Sequence, residues 1–367
     1  MNSLISILEK YDKFSSYVKD IKQGVTPIML SRLTDSGKVH LSFATQMYAD
    51  KPICVITYNE LQARKLVKDL KYYSDEVFFF PKREIVTYDY LAESKDLLNE
   101  RIECLNNINS GKAKVVVTTI EALMQKTVSK DVLYKHAISL KVGNEYNLEK
   151  IKEELIKLGY ERFDLVEGKG QFSVRGGIID IAISDKIGIR IEFWGDEIDS
   201  IRNFNVYTQR STDMLQKVDI YPANEFVLEN SLEKICYEIS KGNYLEEDLE
   251  EIRNGNYLNK VDKYFSSFYQ KPNTLRDYIS DDYIICIDEV KKIKQRAENI
   301  TKDNESIMKS LIEKNKLVPN ALTVMENYEK TMLKLENKQT IYLENQDVGF
   351  VDSKSMLAKR NGYSFSY

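Results

Sequence analysis

The chain has 367 residues, room for two or three domains at about 100 to 200 residues each, and its 43% hydrophobic and 30% charged content is that of a folded protein. With 53 basic and 57 acidic side chains the formal charge is −4. That balance excludes a chain-wide basic surface binding nucleic acid by phosphate neutralisation, so any DNA contact has to be local. Cys54, Cys104, Cys236 and Cys286 are far apart, with no Cys-x-x-Cys or Cys-x-x-His spacing, which argues against zinc and for reduced core thiols in a cytoplasmic protein. Only His40 and His136 are present, neither near a Ser or Cys elbow, so a nucleophilic triad is not expected. No run approaches the roughly 18 to 20 apolar residues of a membrane span.

Along the first 130 residues, short apolar runs alternate with helical periods. Pro27 to Leu33 (PIMLSRL) reads as a buried strand, followed by a helix over Gly37 to Tyr48. Strand-like ICVITY (53–58), a helix over Leu61 to Tyr72, Val77 to Phe80 and KVVVTT (114–119) come next. Strand and helix in alternation imply a parallel sheet with crossovers.

Near residue 130 the pattern changes to closely spaced, turn-linked runs: Ala137 to Leu140, GQFSVRGGIIDIAIS (170–184), GIRIEFW (188–194) and Glu197 to Phe204. This spacing predicts a small antiparallel or mixed sheet crossed by one helix, Leu148 to Gly159, inserted into the first domain. After about Tyr207 the chain reads as mostly helical until YIICI (283–287), a strand expected to rejoin the first sheet. Beyond it Val290, Ile293, Ala297, Ile300, Asn304, Ile307 and Leu311 form one stripe on a long charged helix, which either packs on its own domain or pairs in a coiled coil.

Residues Arg32 to Val39 (RLTDSGKV) stand where a parallel-sheet fold places a phosphate loop of the form G-x-x-x-x-G-K-[ST]. Gly37 and Lys38 match. Arg32 replaces the leading glycine and brings a β-carbon to a turn that favours a glycine's positive φ, while Val39 offers no oxygen to a magnesium ion. Asp288 and Glu289, at the end of the YIICI strand, have the form of the acidic motif that accompanies such a loop, although an apolar strand ending in acids is also an ordinary turn. Together these residues point to an ATPase-like fold without its chemistry, with no catalytic residue, no metal site and no cofactor.

The segment from Gly159 to Ser211 carries a longer signal: FSVRGGIIDI, then RIEFWGDEIDSIR, then TQRS. It resembles the second domain of the transcription-repair coupling factor (Mfd) family and, more distantly, the matching domain of UvrB. The resemblance extends through CVITYNELQARKL, FFFPKREIVTYD, NERIECL, KVVVTTIEALMQ, IYPANEFVL and TLRDYISDDYIICIDEV, which is most of the chain. UvrB has an intact phosphate loop and a long aromatic hairpin after its TYD-like motif. Asp89 to Asn99 leaves no room for that hairpin here, and the phosphate loop is broken, so the resemblance favours the Mfd family.

The resemblance implies an α/β fold: a degenerate P-loop (RecA/UvrB-like) parallel-sheet domain over residues 1–130, interrupted at 131–206 by a small α+β UvrA-binding domain, with a helix-rich return segment over 207–367. It implies UvrA as partner, contacted through Arg175, Arg190, Trp194, Asp196 and Glu197. Ordinary readings of the same residues stay open: Arg175 pairing with Asp180 or Glu192, Trp194 in the core, and Gly176-Gly177 as a bulge or tight turn. RNA polymerase, duplex DNA, ATP and magnesium are expected to engage regions absent from this chain, which reads as a monomeric front portion of a longer translocase. The docking face, covered in the family by a C-terminal domain, is then expected to be open. The competing reading is a DNA-binding module with a helicase-like cleft; 11 basic against 13 acidic side chains within 132–205 weigh against it.

Overall fold

A computed structural model describes residues 5, 8–84, 95–135, 137–255, 257, 260–314, 324–346 and 361–365. Residues 85–94, including most of the Asp89 to Asn99 segment, and His136 lie outside the described residues. The chain forms two compact units, one of Met1–Leu91, Cys104–Lys126 and Asn273–Tyr367, the other of Ala92–Glu103 and Thr127–Pro272.

The first unit is built on seven parallel strands: β1 (Ile28–Ser31), β2 (Ile53–Thr57), β3 (Val77–Phe80), β4 (Val115–Thr119), β13 (Ile284–Asp288), β14 (Thr340–Leu343) and β15 (Gly362–Ser364), in the order β15-β1-β14-β13-β2-β4-β3. β1, β2, β4, β13 and β14 are buried at every residue, as continuous apolar strands covered on both faces must be. Polar caps start the helices between them: Thr34 Oγ1 accepts from the Gly37 amide, Asn59 from Gln62 and Thr119 from Ala122. One face of the sheet, with Ile28, Leu30, Val55, Val117, Cys286 and Ile341, packs on Val39, Leu41, Phe43 and Leu66. β13 lies between β2 and β14 in this sheet, as its sequence implied. The long helix Val290–Glu313 buries Val290, Ile293, Ala297, Ile300 and Leu311 in its own unit, leaves Ile307 exposed, and Asn304 donates to Met325 Sδ. All four cysteines are buried free thiols.

In the second unit six strands, β6 (Glu161–Arg162), β7 (Gln171–Arg175), β8 (Ile178–Ala182), β9 (Ile187–Trp194), β10 (Glu197–Asn205) and β11 (Ser211–Leu215), form a sheet in the order β11-β10-β9-β8-β7-β6. Only β6 with β7 is parallel, so the sheet is mixed. Alternation does the folding: Phe172, Ile179, Ile181, Ile189, Ile191 and Ile201 face Ile151, Leu155 and Leu158, mostly from the helix Leu148–Lys157, in one core. β5 (Ile138–Lys141) pairs with β12 (Lys217–Ile220), and Ile138, Leu140 and Ile220 join that core. The inserted unit therefore runs well past residue 206, the boundary its sequence suggested, because a strand after 206 pairs with one near its start. It goes on through the helices Leu232–Ser240 and Glu246–Arg253 to Pro272.

Candidate functional site

The carboxyl ends of β1, β14, β13 and β2 bring together the residues of the broken phosphate loop. Arg32 follows β1 with φ +61°, the left-handed conformation that a leading glycine adopts freely and a side chain adopts at a cost. Lys38, on the helix Asp35–Ala49, is 1% exposed, and its Nζ donates to Asp288 Oδ1 and Glu289 Oε1, both at 2.6 Å. Thr57 Oγ1 donates to the second Asp288 oxygen at 2.7 Å, and the Asn345 amide donates to Glu289 Oε1 at 2.7 Å. Glu289 itself has φ +62°.

The ammonium thus sits against both carboxylates that the acidic motif of an active site would offer to a magnesium ion. Among the described residues no group of three or more His, Cys, Asp or Glu is arranged to hold a metal. Burial opposes charge on Lys38, but the Asp288 charge and the hydrogen bonds to Asp288 and Glu289 outweigh it and hold the ammonium above its usual range. Burial also pushes Glu289 up; its hydrogen bond and attraction to Lys38 win, and its carboxyl stays below the usual range. The Gly37 amide, which a working loop offers to phosphate, is occupied by Thr34 Oγ1 at 3.1 Å. Val39 is buried and carries no donor atom.

On the second unit, the face of the sheet turned away from the core carries the other expected residues. Strand register lines up Ser173, Asp180, Arg190, Arg202 and Met214 across β7 to β11, with Arg175, Ile178, Glu192 and Ser200 in the next row. Asp180, 1% exposed, accepts from Arg190 Nε at 2.7 Å and Nη2 at 2.9 Å, and from Arg175 Nη2 at 2.7 Å. Arg175 is 51% exposed and Arg190 17%. The Arg190 guanidinium also lies over the Phe204 ring, 5.0 Å from its centroid. Glu192 pairs with Arg202 rather than with Arg175.

Trp194 is 85% exposed at the end of β9, which excludes the core reading, and pairs in register with Glu197. Asp196, in the adjoining turn, and Glu197, the first residue of β10, are exposed; the Asp196 carbonyl accepts from the Tyr146 amide. The turn from Arg175 to Ile178 is tight, with φ +60° at Gly176, and a β-carbon on Gly177 would stand 2.9 Å from the Phe193 carbonyl oxygen. That turn sets Arg175 beside the end of β9.

The structure therefore gathers Arg175, Trp194, Asp196 and Glu197 at one end of the sheet, with Arg190 further along the same face, and it gathers Arg32, Gly37, Lys38, Val39, Asp288 and Glu289 in the first unit. Thr57, Glu344 and Phe204 are parts of these constellations that sequence reasoning did not find. Glu344 alone had a signal, since IYLEN repeats the strand-then-acid form of YIICIDE.

Residues 138–226 match the family model described as the UvrB interaction domain. The chain is 29% identical over 341 residues to a transcription-repair-coupling factor of Bacillus subtilis, covering 87% of this chain and 29% of that protein. It is 29% identical over 333 residues to a transcription-repair-coupling factor of Staphylococcus aureus, covering 84% of this chain and 28% of that one. The chain thus spans less than a third of the length of these relatives. Domain model and relatives agree, and they support a likeness between this chain and the UvrB-like N-terminal region of transcription-repair-coupling factors.

Proposed function

We propose that this chain is a non-catalytic adaptor whose inserted unit docks UvrA in transcription-coupled nucleotide excision repair. The α/β unit serves as a scaffold derived from an ATPase, without nucleotide or magnesium of its own. RNA polymerase, duplex DNA and the ATP-driven translocation of the whole protein belong to regions beyond this chain. The observation that carries the docking reading is the exposed Trp194 on the same sheet face as two arginines clamped by one buried carboxylate. An exposed aromatic beside planar, charge-assisted donors is the composition of an interface hot spot.

Titration of the chain with UvrA tests this. Arg175→Ala, at a half-exposed side chain, is expected to weaken binding about tenfold, or about 1.4 kcal/mol. Arg190→Glu is expected to weaken it further, with folding checked because the new acid lies against Asp180. Unchanged affinity in both variants sinks the docking reading. Fluorescent ATP with magnesium is expected to show no micromolar binding, since Lys38 is held by Asp288 and Glu289. A duplex DNA probe shifted by the chain in a steeply salt-dependent manner would favour the DNA-binding alternative.

A further inference from the structure

Resting on the docking reading, we propose that Asp180 is the positioning residue of the docking face, fixing both guanidinium groups for a carboxylate-bearing surface on the partner. Asp180 lies at the centre of the sheet on β8, one strand from Arg175 on β7 and directly opposite Arg190 on β9. Its two oxygens receive three charge-assisted hydrogen bonds of 2.7 to 2.9 Å. A free arginine side chain has many rotamers to lose, and holding it before contact removes part of that entropic cost from binding.

Two guanidinium groups on one carboxylate leave a net charge of +1. The donors that do not reach Asp180 are Nε and Nη1 of Arg175 and Nη1 of Arg190, the last with a long contact of 3.5 Å to the Gln209 carbonyl. These remain to meet a partner's carboxylates. Phe204 supports the arrangement from below: its ring lies under the Arg190 guanidinium and over Gly188, where a β-carbon would come within 2.3 Å of the ring. Arg190 is therefore held by an acid beside it and an aromatic surface beneath it.

The test is a set of UvrA titrations with the whole chain, wild type and Asp180→Asn, repeated in the Arg175→Ala, Arg190→Ala background. Asp180→Asn is expected to weaken binding about tenfold in the wild-type background and to cost nothing further where both arginines are gone. A loss of equal size in both backgrounds marks a merely structural role and overturns the proposal. So does an unweakened Asp180→Asn alongside a weakened Arg175→Ala, a result that leaves the docking reading standing. If neither arginine variant weakens binding, the docking reading itself fails. Should Asp180→Asn not fold, Gly188→Ala moves the Phe204 ring without touching Asp180. Its loss is expected to vanish in an Arg190→Ala background, and persistence there counts against positioning through Arg190.

Discussion

Lys38 is a residue of the phosphate-loop pattern whose charge is spent inside the fold. Its ammonium is buried against Asp288, which is itself 0% exposed, so removing either partner strands a charge in a low-dielectric interior. Lys38→Met is expected to cost about 3–5 kcal/mol in denaturant unfolding, and adding Asp288→Asn to recover part of it, because the fully buried charge is then removed while Glu289, 13% exposed, keeps its own. If Lys38→Met unfolds at the wild-type midpoint, the ion pair is not holding the sheet ends together. Glu344 is the titrating member of this cluster. Burial pushes its carboxyl from an ordinary 4.5 to about 7, against the hydrogen bond from the Val290 amide. An acid whose folded pKa lies above its unfolded one takes up a proton on folding, so its contribution is full below about 4.5 and is lost as pH rises through about 7. Glu344→Gln keeps an acceptor for Val290 and should flatten the pH dependence of the unfolding midpoint across that window. An unchanged slope would assign the pH dependence to other groups. Glu344 had only the strand-then-acid form of IYLEN as a signal and Thr57 had none, because their roles arise where four strand ends meet.

At the scale of elements, what was legible follows from how local the determinant is. β1, β2, β4 and β13 are continuous apolar runs and announce themselves. β12 has the sequence KVDI and is a strand only because β5, almost eighty residues earlier, lies alongside it. β6 is two exposed residues, and β15 is a three-residue edge strand of the sequence GYS. The mixed sheet was legible as alternation, which placed Arg190 and Glu192 opposite Ile191, but the pairing of Asp180 with both arginines needed the register. That register also makes Gly188 critical. Gly188→Ala is expected to drive the Phe204 ring off its seat, loosening Val166, Ala182 and Val206 around it. Overpacking of this kind typically costs about 1–3 kcal/mol. Thermal unfolding reads the loss, and a wild-type midpoint would mean that the backbone yields there at no cost.

On the scale of the molecule, the two constellations belong to different units with separate cores, one around the parallel sheet and one between the mixed sheet and the helix Leu148–Lys157. The insertion was legible in the sequence but its far end was not, since β12 belongs to it only by pairing with β5 and nothing local in KVDI shows that. Separate cores make a prediction about where damage spreads. Amide exchange opens along cooperative units, and each unit's strands are protected by its own packing. Lys38→Met removes the tie among β1, β2 and β13, so faster exchange is expected in those strands and in β14. Gly188→Ala disturbs β9 and β10, so faster exchange is expected from β8 to β11. Hydrogen exchange with peptide resolution on the whole chain separates the two. If Lys38→Met raised exchange in β8 to β11 as much as in β1 and β13, the two units would open together, and their division into separate cooperative units would be wrong.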